Sequence, residues 1–185
     1  MAALFLAIGW GAGVLLTEGA RELLASGRAL PVPLGDNLPL AHSLPVDGLH
    51  VDLARAPEQL DAVLEGLPVD RVLSAGIVDG RNIWRSRPAQ VEALLRSARQ
   101  RLGDARLWLA PSCSLLHVPI DLEAETALDP SLRAPMAFAR QKIEELRVYA
   151  DALAGHAEAL AALAAQQSLL SLSSDVCLIW ALSSP

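Results

Sequence analysis

Val72-Leu73-Ser74-Ala75-Gly76-Ile77-Val78, followed by Asp79-Gly80-Arg81-Asn82, is the stretch that decides the fold. A short uncharged run rich in β-branched residues reads as a buried strand, and the polar residues behind it mark its end. The runs Leu49-His50-Val51-Asp52-Leu53 before it and Leu107-Trp108-Leu109-Ala110 after it read the same way. Strands are therefore expected at about 49–53, 72–78 and 107–110. Each is followed by a helical pattern. Pro57 stands at an N1 position ahead of Leu60, Val63, Leu64 and Leu67 at i, i+3, i+4, i+7 spacing. Pro88 precedes the stripe Val91, Leu94, Leu95, Ala98 and Leu102. After a longer polar loop, Asp129-Pro130 forms an N-cap and N1 pair, expected to open a long helix carrying Met136, Ala139, Ile143, Leu146, Ala150 and Leu153. Three βα units in series imply an α/β fold, a parallel sheet with helices over it.

Outside this region the pattern changes. Residues 1–27 read as a helix broken by Gly9, Gly11 and Gly13, with a second helical piece from Thr17 to Ser26. Residues 28–47 hold Pro31, Pro33, Pro39 and Pro45, a density of breakers that forbids a long helix or a central strand. The uncharged start, Met1 to Leu16, resembles the apolar region of a signal peptide. It has no Lys or Arg ahead of it, and Glu18, Arg21 and Glu22 arrive before the roughly 20 apolar residues that a membrane span needs. Membrane association is not expected.

The 185 residues suffice for one domain with a real core, and 52% hydrophobic against 19% charged residues excludes a disordered chain. The net charge is -6 and the basic residues are scattered singly, so nucleic acid is not an expected partner. Lys142 is the only lysine. Cys113 and Cys177 lie far apart in no metal-ligand spacing, so neither a disulfide framework nor a metal site is expected, and a reducing cytoplasm fits.

In parallel βα proteins of the barrel type, functional groups sit where strands end and βα loops begin. Polar residues concentrate there: His50 and Asp52 with Arg55; Asp79, Arg81 and Asn82; Ser112, Cys113, Ser114 and His117. If the strands are neighbours, these groups share one rim. Each has a bland reading beside the functional one. Cys113 and His117 supply two of the three or four ligands that zinc needs, and a structural thiol is the simpler reading. Arg81 could grip a carboxylate bidentately, or pair with Asp52 or Asp121 while Asp79 and Asn82 tie the loop. His50 and Asp52, two apart on one strand, could form an imidazole–carboxylate pair, or His50 could be a satisfied interior histidine. Glu123 and Glu125 read as solvated caps, and Trp84 and Trp108 as packing residues.

The runs Leu44 to Leu53, Ser74 to Arg85 and Ala110 to His117 resemble, in order and spacing, the last three strands and loops in the N-terminal barrel of cobalamin-independent methionine synthases. The likeness continues through Asp121 to Thr126 and Phe138 to Lys142 and covers about residues 35–155. It implies a partial (β/α)8 TIM-type barrel over 35–165, with a non-matching helical N-terminus and Pro-rich loop at 1–34 and a non-matching apolar tail at 166–185. It also implies a methyltransferase of methionine biosynthesis, an amino-acid biosynthetic route, moving a methyl group from 5-methyltetrahydropteroyltri-L-glutamate to homocysteine. The family's zinc ligands belong to its other barrel, so no catalytic, cofactor-binding or metal residue is expected in this chain. Folate polyglutamate and homocysteine are expected partners only in the full-length context. A truncated or frame-disrupted copy of a larger gene is the expectation, inactive alone and prone to self-association through open sheet edges. The alternatives are a non-catalytic small-molecule binding module or a membrane-associated one.

Overall fold

The computed structural model describes the backbone of residues 5–8 and 34–172, and the side chains of residues 34–171. Two compact units emerge: Met1–Asp79 with Arg96–Ser114, and Gly80–Leu95 with Leu115–Pro185.

The first unit is a four-stranded parallel sheet in sequential order, β1 (Phe5–Ile8), β2 (Gly48–Asp52), β3 (Val72–Val78) and β4 (Leu107–Pro111). Three of these fall within one residue of their expected positions. The fourth corrects the reading of residues 1–27 as helical, because Phe5–Ile8 pairs with Gly48–Val51. Phe-Leu-Ala-Ile is a four-residue apolar run, and periodicity alone cannot separate a buried parallel strand from a helical turn at that length. The rest of that expectation, like Cys177 and most of the expected C-terminal tail, lies outside the described residues.

Register explains why the strands tolerate polar residues. Leu49 and Val51 on β2 are level with Leu73 and Ala75 on β3, and all four are buried. The opposite face brings His50 beside Ser74 and Asp52 beside Gly76, with Trp108 next to Ser74 on β4. One face is thus wholly apolar and the other carries hydrogen-bonding groups. The pairing of β3 with β4 slips between Gly76 and Val78, an irregularity that ends with the Ser112 amide donating to the Val78 carbonyl at 2.7 Å.

Short helices complete the unit. α1 (Leu38–Ser43) lies inside the Pro-rich stretch and ends before Pro45; α2 (Leu60–Gly66) follows a 3-10 turn at Pro57–Gln59 and buries Leu60, Val63 and Leu64. The two are joined by His42, whose Nε2 donates to the Val63 carbonyl at 3.1 Å. α3 (Pro88–Leu102), of which Arg96–Leu102 belongs to this unit, buries Val91, Leu95 and Ala98 of the expected stripe.

The second unit contains α4 (Pro130–Arg133), α5 (Ala139–Leu153) and α6 (Ala157–Leu172). The Asp129 side chain caps as expected, accepting from the Ser131 amide at 2.8 Å, but the helix it opens lasts only four residues. Pro135 falls in the break, and the long helix begins at Ala139. Its buried residues are Gln141, Lys142, Glu145 and Tyr149, whereas Ile143 is 60% exposed. The apolar stripe foreseen on this helix therefore does not define its buried face.

Candidate functional site

His50 stands at the middle of β2, and register places Ser74 directly beside it. Its Nδ1 is 2.9 Å from the Ser74 hydroxyl and its Nε2 is 3.2 Å from the Ser112 carbonyl, both buried bonds. A carbonyl only accepts, so Nε2 carries the proton, and in the neutral ring Nδ1 accepts from Ser74. Burial pushes the His50 pKa down, against a smaller upward pull from the Ser112 carbonyl. Gly76 makes this arrangement possible. A methyl group there would stand 2.8 Å from the Ser112 Cα, 2.9 Å from the Val51 carbonyl and 3.2 Å from the His50 Cε1. Two of those atoms are backbone, so nothing flexible can yield.

Asp52 ends β2 and is buried; its Oδ1 accepts from the Arg55 amide at 3.0 Å, and its carbonyl accepts from Gln59 Nε2 at 2.9 Å. Gln59 in turn holds the Leu34 amide at 3.1 Å. These bonds fix the β2–α2 loop without spending the histidine. Asp79 ends the chain segment of the first unit after β3. Cys113 is a buried free thiol two residues past β4, with Sγ 3.7 Å from the Ser114 carbonyl. His50, Asp52, Asp79 and Cys113 therefore come from adjacent strands of one unit.

Arg81, Asn82 and His117 belong to the second unit. His117 closes an exposed 3-10 turn, Leu115–His117. Asn82 Oδ1 accepts from the Trp84 amide at 3.0 Å and from Lys142 Nζ at 3.4 Å. Asp121, considered as a partner for Arg81, is engaged by Arg140 at 2.8 Å and Gln141 at 2.7 Å. Hydrogen bonds from Gln141, the Glu123 amide and Arg140 lower its pKa to about 2. Among the described residues no group of three or more His, Cys, Asp and Glu side chains is placed to hold a metal.

The structure adds residues that the motifs did not single out. Ser74 and Gly76 complete the His50 setting; a polar residue and a glycine at alternate positions of an apolar strand were the available signal. Trp108, expected to pack, is 47% exposed on the same face as His50 and Ser74. Lys142, Glu145 and Tyr149 form a buried polar group in the second unit. Only the uniqueness of the lysine hinted at it.

A sequential parallel sheet with polar groups at and beyond its strand ends defines a parallel α/β protein of βα units. Residues 33–103 match the family described as cobalamin-independent synthase, N-terminal domain. Over 131 residues, 71% of the chain, it is 61% identical to the 5-methyltetrahydropteroyltriglutamate--homocysteine methyltransferase of Xylella fastidiosa strain 9a5c. The proteins of that name from strains M23 and Temecula1 match to the same degree. The chain belongs to the cobalamin-independent methionine synthase family. The matched stretch spans 17% of the length of each of these relatives.

Proposed function

We propose that this chain is a segment of a homocysteine S-methyltransferase of methionine biosynthesis, comprising the last βα units of that enzyme's N-terminal barrel, and that it transfers no methyl group unaided. The observation that carries this reading is the 61% identity sustained over 131 residues. The family match over residues 33–103 takes in β2 and β3 and the loops that follow them, so loops as well as scaffold fall within the likeness. Methyl transfer to a thiol needs the thiolate, and a bound cation makes the thiolate dominant at neutral pH. With no three-ligand cluster among the described residues and 17% of the relatives' length, the segment supplies wall and rim to a reaction centred elsewhere. In that setting Arg81 is a candidate for an anionic group such as a glutamate carboxylate, matched by its planar fork. Zinc, folate polyglutamate and homocysteine then belong to the assembled enzyme.

A chimera tests the reading. Replacing the aligned segment of the Xylella fastidiosa 9a5c enzyme with this chain's residues should leave a protein that still forms methionine from its two substrates. A folded chimera with no such activity would defeat the proposal.

A further inference from the structure

The only lysine in the chain is one of its most deeply buried side chains: Lys142, on the first turn of α5, is 0% exposed. Its Nζ donates to the Trp84 carbonyl at 2.9 Å and to Asn82 Oδ1 at 3.4 Å. Burying an amine is costly unless its donors are satisfied. Here the acceptors come from the segment that follows β3, and that segment is fastened at further points. Asn82 Oδ1 also takes the Trp84 amide, closing a local turn. The Arg85 amide donates to the Pro135 carbonyl and the Ala137 amide to the Ile83 carbonyl, a one-pair antiparallel bridge at Trp84 and Met136.

Ser86 ties the other end. Its hydroxyl lies 2.8 Å from the Tyr149 hydroxyl and its carbonyl accepts from Gln166 Nε2 at 2.8 Å. Gln166 also donates to Glu145 Oε1 at 2.9 Å, and Arg85 stands 3.8 Å from the same oxygen. The segment from Asn82 to Ser86 is thus bonded to α5 through Lys142 and Tyr149, to α6 through Gln166, and to the 135–137 turn through its backbone. Ser86, Lys142, Glu145 and Tyr149 are buried, so a bond lost among them is not readily replaced by one to water, and the bonds support one another.

We propose that Lys142 is a latch, holding Asn82–Ser86 shut over α5 so that this segment opens only as one cooperative element together with its fastenings to α5 and α6. A βα loop would ordinarily fluctuate independently of the helices behind it. The latch makes the loop a part of the helical unit's core. The inference stands whether or not the segment serves a methyltransferase.

The unique lysine reports on its own state. Acetylation with an N-hydroxysuccinimide ester of the full chain, followed by peptide mapping, separates Lys142 from the α-amino group. In the folded chain Lys142 is expected to react at least about 100-fold more slowly than in the urea-unfolded chain, as a site reached only through opening. Asn82→Ala should speed that reaction roughly tenfold with the far-ultraviolet circular dichroism unchanged. Gln166→Ala should speed it as well, although Gln166 does not touch the amine. That arm separates a cooperative latch from a lysine that is simply desolvated. Acetylation of folded wild type at the unfolded rate, or a Gln166→Ala chain that reacts like wild type, would overturn the proposal.

Discussion

The two units bury different things. In the sheet unit Leu49, Val51, Leu73, Ala75, Ile77 and Val78 lie inside and one histidine among them has both ring nitrogens satisfied by neutral groups. In the helical unit α5 turns Gln141, Lys142, Glu145 and Tyr149 inward and leaves Ile143 mostly exposed. The first arrangement is stabilised in proportion to apolar area, loses stability gradually as atoms are removed, and is insensitive to partner identity. The second is a matched set: removing one charged member leaves the others buried without compensation, a larger penalty than the set's net contribution when complete. A core of each kind in one chain predicts different responses to the same type of mutation.

The largest effect is expected from Lys142→Ala, which removes the donor to the Trp84 carbonyl and Asn82 Oδ1 and the positive charge near Glu145 from a buried site, and should cost about 4 kcal/mol. Residue-resolved hydrogen exchange checks it: protection should fall in 82–86 and α5 while β2 and β3 keep theirs. Equal losses in both regions would show that the distinction between the two cores is false. Next comes Leu73→Ala, a cavity in a fully buried position, expected to cost about 3 kcal/mol in denaturant unfolding of the sheet. Gly76→Ala pushes a methyl group against the Ser112 and Val51 backbone and should cost about 2 kcal/mol, with the His50 ring displaced. A nuclear magnetic resonance shift of the His50 ring protons is the measurement for the displacement.

The smallest effect sharpens the comparison most, because its sign differs between the units. Burial lowers the His50 pKa, so its contribution is present above 6.5, the ordinary value, and is lost as pH falls through the depressed value. Burial raises the Glu145 pKa despite the opposing pulls of Arg85 and Lys142, the Ser86 amide and Gln166. Its contribution is present below the ordinary 4.5 and is lost as pH rises through the elevated value. Tyr149, also shifted upward by burial, and Glu92, which acts on Tyr149, complete the charged surroundings of this group. Acidification from neutral pH should therefore weaken protection in β2 and strengthen it in α5. His50→Gln should remove the first trend and Glu145→Gln the second.

This contrast also explains which parts of the fold were legible in the residues. Strands at 49–53, 72–78 and 107–110 were readable because buried parallel strands are short, apolar and β-branched, and the helices that follow them in the chain carry stripes such as Leu60, Val63 and Leu64. The polar strand-end groups were readable for the same reason, standing out against an apolar background. What was not legible lay where polar residues go inside. On α5 the rule that apolar positions face inward fails, since Lys142 is satisfied by the Trp84 carbonyl and Glu145 by the Ser86 amide and by Gln166 of α6, all distant in sequence, which no local pattern reveals. The β1 strand was missed through length, four apolar residues being ambiguous between helix and strand. Asp129-Pro130 is a valid cap, but the helix it opens is α4, four residues long, and no pattern in the residues separates it from the long helix that starts at Ala139.

The first unit holds neighbouring strand ends and the second a fastened loop, and among the described residues no group of three or more His, Cys, Asp and Glu side chains is placed to hold a metal. The decisive measurement is methionine formation by the purified chain, supplied with homocysteine, 5-methyltetrahydropteroyltriglutamate and zinc ion. The account predicts no product above the protein-free control at any enzyme concentration. Methionine accumulating in proportion to the chain would contradict it.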